Sequence, residues 1–132
     1  MKTTKQNDIS KLYSMKKELK FKLLSCGGLM VSPQPDPFSG LVFKYGELFP
    51  DFKIKLKLME QCMCHENSIK LAKKNPTRYI HFYGYGLSAD DMWRPHSWIF
   101  DDQKKEIIET TEKRLKYFGI VTGELFKDIV PD

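Results

Sequence analysis

The sequence predicts a single α+β domain in which a small antiparallel sheet packs against an N-terminal helix and a second, cysteine-bearing helix. Three observations predict it. Apolar residues recur every three or four positions near the N-terminus, a second helical stretch opens at Cys64, and three strand-like runs follow between Arg78 and Thr110. With 132 residues and a hydrophobic share of 41%, the chain suits one core of ordinary domain size. Residues 1–7 read as a flexible lead and residues 8–132 as the domain.

Taken in order, Ile9, Leu12, Met15, Leu19 and Leu23 form the apolar stripe of a helix from Asp8 to Ser25. Asp8 or Ser10 caps it, and Gly27-Gly28 stops it. Pro33, Pro35 and Pro37 then remove backbone donors at alternate positions, so the stretch from Ser32 to Gly40 is expected to be an extended loop bordering a site. Residues Leu41 to Phe49 fit helix or strand, whereas Phe52 to Leu58 alternates as a strand does. The stretch from Cys64 to Lys74 reads as a helix ending before Asn75-Pro76, which places Cys64 in or just ahead of its first turn. Strands are expected at Arg78 to Leu87, His96 to Phe100 and Lys105 to Thr110, the last two joined as a hairpin through Asp101 to Lys104. In the tail, Tyr117-Phe118-Gly119 reads as a turn and Gly123 to Val130 as a short closing helix.

Composition excludes several function classes. The net charge of +5 is concentrated in the first helix, where seven lysines from Lys2 to Lys22 face only Asp8 and Glu18. Such a face is ordinarily solvated, and no nucleic-acid motif accompanies it, so nucleic acid is not an expected partner. No apolar run approaches the roughly 20 residues that cross a bilayer, and no apolar stretch follows the leading lysines, so neither a membrane nor secretion is expected. Three cysteines, two of them separated by a single residue, read as thiols of a reducing cytoplasm. The pair Cys62-Met63-Cys64 has no second knuckle downstream, so no metal or other cofactor is expected.

The residues with the most chemistry are Cys64, His96 and Glu109. A thiol acts as a nucleophile only as thiolate, and unpaired N–H groups at a helix start favour that form. It also needs a base within hydrogen-bond reach and a third group to orient that base. If the hairpin residues pair so that their numbers sum to 205, His96 and Glu109 are direct cross-strand neighbours, about 4.5–5.5 Å apart at Cβ. The alternative is a buried structural thiol beside a histidine satisfied by an acid.

A cysteine opening a helix, His96-Ser97-Trp98 on a strand and Glu109-Thr110-Thr111 closing the next occur in that order. The order resembles the transglutaminase-like branch of the papain-like cysteine hydrolases. That resemblance implies a papain-like core, thioester acyl transfer on a protein or peptide substrate, Cys64 as nucleophile, His96 as base then acid, and Glu109 as orienting carboxylate. Glu109 stands where transglutaminase-like proteins usually carry Asp. The strings Cys64-His65-Glu66-Asn67, Gly84-Tyr85-Gly86-Leu87-Ser88, Trp93-Arg94-Pro95-His96-Ser97-Trp98 and Arg114-Leu115-Lys116-Tyr117-Phe118-Gly119 also resemble a family of small bacterial proteins of uncharacterised function.

Substrate contacts are expected from Asn67, Tyr83, Trp93, Arg94 and Trp98. Three of them have a structural counterpart: Asn67 as a helix cap, Trp98 as core, and Arg94 paired with Asp90 or Asp91. Arg114 fits an internal ion pair or a substrate contact, and His65 fits either solvent or the site. His81 is a rival base placed among tyrosines. A rival function is a binding module that holds a protein or peptide in an aromatic groove at Tyr83, Tyr85, Trp93 and Trp98.

Overall fold

The computed structural model describes residues 17–33 and 36–122. The expected lead at 1–7, the cap of the first helix and the closing helix at Gly123 to Val130 lie outside the described residues. Helix α1 covers 17–26. Then follow β1 (Met30–Val31), α2 (Ser39–Tyr45), β2 (Glu47–Leu48), β3 (Ile54–Leu56), α3 (Cys64–Lys74), β4 (Tyr79–Leu87), β5 (Met92–Asp101), β6 (Glu106–Glu109) and β7 (Lys116–Val121). The domain is α+β, and no helix among the described residues is long and apolar enough to cross a membrane.

The sheet, expected to be antiparallel, is mostly so but mixed. Its strand order is β2-β7-β4-β5-β6-β3, with β1 added beside β5. The pairings β1/β5 and β3/β6 are parallel and the others antiparallel. The edge strands β2 and β3 are joined only by residues 49–53, and this strap crosses one face of the sheet. There Phe49 meets Phe82 and Trp98 at 4.7 and 5.5 Å between ring centres, and Phe52 meets Phe100 at 4.9 Å. Helices cover the other face: Leu19, Leu23 and Val42 pack on Tyr85, Leu87 and Phe118, while Leu71 of α3 packs on Ile99 and Ile108.

The expected turn at Tyr117-Phe118-Gly119 is instead the middle of β7, which lies beside β4. Gly119 stands opposite Gly84, and a Cβ on Gly84 would come within 2.0 Å of the Phe118 carbonyl oxygen. The glycine serves close strand approach, not reversal. Strand β5 starts at Met92, earlier than expected, and runs through Pro95. The Ser32 N–H donates to the Trp93 carbonyl at 2.8 Å, so the polar groups of Trp93 point away from β4. Alternation puts the missing N–H of Pro95 on that same outer side, between β1 and β6, where no ladder partner needs it.

The hairpin forms, but with a different register. Asp101 pairs with Glu106, Phe100 with Ile107 and Ile99 with Ile108, so the paired numbers sum to 207. The loop is 102–105, closed by a Lys105 in the left-handed region at φ 55°. Asp101 anchors it, accepting from Gln103 N–H, Lys104 N–H and both arms of the Arg78 guanidinium at 2.9–3.1 Å. The Arg78 bond, against the opposing effect of burial and aided by those N–H groups, holds the Asp101 carboxyl at about 2. A depressed folded pKa contributes stability that is present above the ordinary aspartate value and lost as pH falls toward about 2. Asp101→Asn is therefore expected to lower the melting temperature at neutral pH and to flatten its fall on acidification. Thermal melts of both proteins across about pH 2–6 check this, and parallel acid profiles would refute it.

Candidate active site

Cys64 is the first residue of α3. The chain enters the helix through Cys62, whose φ of 62° makes a left-handed bend. The N-cap Met63 offers no side-chain acceptor, so the first-turn N–H groups are not capped from that position. Asn67 fixes the entry from inside: its Nδ2 donates to the Glu60 carbonyl at 2.8 Å and to the Thr110 hydroxyl at 3.3 Å. Helix α3 lies on the odd-numbered face of β5, with Ser97 and Ile99, whereas His96 and Trp98 belong to the opposite face. The thiol nevertheless comes within hydrogen-bond reach of the His96 ring. It does so at the unpaired outer edge of β5, where the Ser97 N–H donates to the sulfur.

Glu109 ends β6, and extending the ladder places it opposite Trp98, so His96 is its diagonal neighbour and not its direct partner. Diagonal Cβ atoms lie about 7–8 Å apart, a span that a long side chain covers. The His96 Nε2–H donates to Glu109 Oε1 at 2.7 Å, with His96 only 1% and Glu109 0% exposed. Oε1 also accepts from the Tyr117 hydroxyl at 2.9 Å, and Oε2 accepts from the Thr111 N–H and hydroxyl at 3.0 and 3.1 Å. With Nε2 engaged by the carboxylate, Nδ1 is the ring nitrogen left for the thiol.

The electrostatics follow this geometry. Burial raises the Cys64 pKa, but the His96 hydrogen bond, His96 charge and Ser97 N–H outweigh it, and the thiol is lowered overall. Burial lowers His96, yet the bonds to Cys64 and Glu109 and the Glu109 charge raise it overall, against the Arg114 guanidinium. Burial raises Glu109, and the bond and charge of His96, with the Thr111 and Tyr117 donors, bring it below the usual carboxylate range. All three shifts favour a thiolate–imidazolium–carboxylate arrangement.

Other expected contacts are placed differently. Trp93 and Trp98 are fully buried, and the Trp93 indole N–H donates to the Gly27 carbonyl at 2.9 Å. Neither walls a groove. Arg94 grips Asp90 with two bonds at 2.7 and 3.0 Å on the exposed rim. Tyr83 is buried, and its hydroxyl donates to Asp36 at 2.9 Å; the Tyr85 hydroxyl reaches the other Asp36 oxygen at 2.8 Å. These tyrosines anchor Asp36, which leads into α2.

His65 faces inward: its Nδ1 lies 2.5 Å from the Ser97 hydroxyl, and its ring lies against Tyr83 at 5.4 Å. Burial and then the His96 charge lower its pKa, against the pull of Glu66 and Asp36. His81, the rival base, is held to about 4 by burial, and its Nε2 has no hydrogen-bond partner among the described residues.

Sequence reasoning missed Ser97, Thr111 and Tyr117 as parts of the site. All three lie within strings noted for their resemblance, which was the available signal. Arg114 has no ion-pair partner among the described residues. Its Nη2 lies 3.5 Å from His96 Nδ1, and Nη1 donates to the Glu112 carbonyl. No family model, curated protein or solved structure matches the chain at a significant level.

Proposed function

We propose that the chain is a cysteine-dependent acyl transferase or hydrolase, acting on amide or ester carbonyls of a protein or peptide. One observation carries this reading: a buried His96–Glu109 pair at 2.7 Å backs a helix-start cysteine whose thiol is lowered by that same histidine. In the first half-reaction the Cys64 thiolate attacks the acyl carbon, and the carbonyl electrons move to oxygen. The first-turn N–H groups of α3 would receive that oxyanion. When the tetrahedral centre collapses, the bond to the leaving amine breaks, and the His96 imidazolium gives the amine its proton. A thioester on Cys64 remains. In the second half, His96 takes a proton from water or an amine as that acceptor attacks the thioester, and the thiolate departs. Water gives hydrolysis or deamidation, and an amine gives transamidation.

The order of cysteine, histidine and acid, with the cysteine at a helix start beside a sheet, supports a transglutaminase-like, papain-like arrangement. The free Cys26, Cys62 and Cys64 suit a reducing cytoplasm. The experiment is the alkylation rate of each cysteine with iodoacetamide against pH, resolved by peptide mapping. Cys64 is expected to reach half its maximal rate below the ordinary thiol range, because its pKa is lowered. Labelling of Cys64 that tracks an ordinary thiol, or that requires unfolding, would sink the proposal.

A further inference from the structure

The connection 110–115 runs from β6 to β7 past β5 and β4, and it carries Arg114 to His96. The arginine stem lies on Gly86, where a Cβ would come within 2.7 Å of Arg114 Cγ. Only a glycine lets the stem lie this close. A guanidinium has five donors in a planar fork. Here Nη1 serves the Glu112 carbonyl, Nη2 stands 3.5 Å from His96 Nδ1, and the buried Nε has no hydrogen-bond partner among the described residues. Among the described residues no ion pair involves Arg114, whereas Arg78 and Arg94 each hold an aspartate.

This placement is electrostatically adverse at rest. A cation beside the base opposes the imidazolium that the reaction needs. A substrate anion seated on the fork would cancel that opposition. Arg114 and the Cys64 thiol both approach His96 at Nδ1, so the anion would sit close to the reacting carbon.

From this arrangement we infer that the site takes acyl substrates carrying a free carboxylate within about two carbons of the reacting carbonyl, gripped by Arg114. A planar carboxylate matches the guanidinium fork, and its charge balances that of Arg114. The inference rests on the acyl-transfer reading.

The two are tested separately by paired alkylating reagents, iodoacetate with its carboxylate and neutral iodoacetamide. On the wild-type chain, the iodoacetate-to-iodoacetamide rate ratio at Cys64 is expected to exceed that of Cys64 in the unfolded chain. Arg114→Gln should lower the ratio about tenfold, as loss of a charge-assisted contact does. Arg114→Lys, which keeps the charge without the fork, should fall between the two. Lys113→Gln, at an exposed neighbouring cation, should leave the ratio unchanged and so separates the fork from bulk charge. Fast iodoacetamide labelling with a ratio no higher than in the unfolded chain overturns the carboxylate inference, without recourse to any variant, and leaves the acyl-transfer reading intact. The same ratio in Arg114→Gln as in wild type also overturns it. Slow labelling of folded Cys64 by both reagents defeats the acyl-transfer reading and this inference with it.

Discussion

Cys64→Ala is expected to abolish acyl transfer and labelling by electrophiles while leaving the fold in place. Removal of a nucleophile typically costs a factor on the order of 10⁴–10⁶ in turnover. The fold should tolerate the change because the thiol sits half-buried at a helix start and fills no core position. A stability change under about 1 kcal/mol is expected. Cys26→Ala and Cys62→Ala should affect neither property, since Cys26 packs beside the α1 cluster and Cys62 is exposed in the bend before α3. Undiminished turnover in the Cys64 variant would move the nucleophile elsewhere.

The second large effect concerns Glu109, where length and charge can be separated. Because Glu109 is diagonal to His96, Glu109→Asp keeps the charge but withdraws the carboxylate by about 1.5 Å. It should therefore lose most of the neutral-pH reactivity of Cys64, by about tenfold or more, as the histidine loses the partner that raises it. Glu109→Gln resembles the native shape, but its amide nitrogen must face either the Thr111 donors or the His96 and Tyr117 donors. The substitution thus removes the charge and also strands buried donors. A loss of about 3–5 kcal/mol is expected, alongside the loss of reactivity. The pH profile of Cys64 alkylation and the melting temperature, taken together on both variants, check this. A native thiol profile in Glu109→Asp would show that the carboxylate does not tune the site.

Much of the site was legible in the sequence because its parts obey local rules. The stop at Asn75-Pro76 and the helical run before it placed Cys64 in a first turn, and the hairpin brought His96 and Glu109 onto one face. The register was not legible. It depends on a left-handed Lys105, a conformation that glycine or asparagine would have announced and lysine does not. Pro95 hid the first part of β5, since a proline inside a strand is admissible only where the outer edge lacks a partner, and that is a tertiary fact. Gly119 was read as a turn because its reason for being glycine is Gly84, thirty-five positions earlier. Arg114 reaches the histidine, and Tyr117 its carboxylate partner Glu109, through a chain crossing that no local pattern encodes.

The strap that joins β2 to β3 has a consequence for the order in which the chain acquires structure. Each of β1, β2 and β3 finds its partner far downstream, in β5, β7 and β6 respectively. Residues 30–56 thus leave the ribosome well before any strand exists to receive them, whereas β4, β5 and β6 form a sequential meander. The meander is the natural nucleus, and the earlier segments close around it last, at the entropic cost of long loops. Docking of β2 waits on β7, and the closing strap waits with it. Cys64 is tuned by His96, Ser97 and Glu109, all carried by β5 and β6, so its lowered thiol would be acquired with the meander and would report formation of that nucleus before the strap closes.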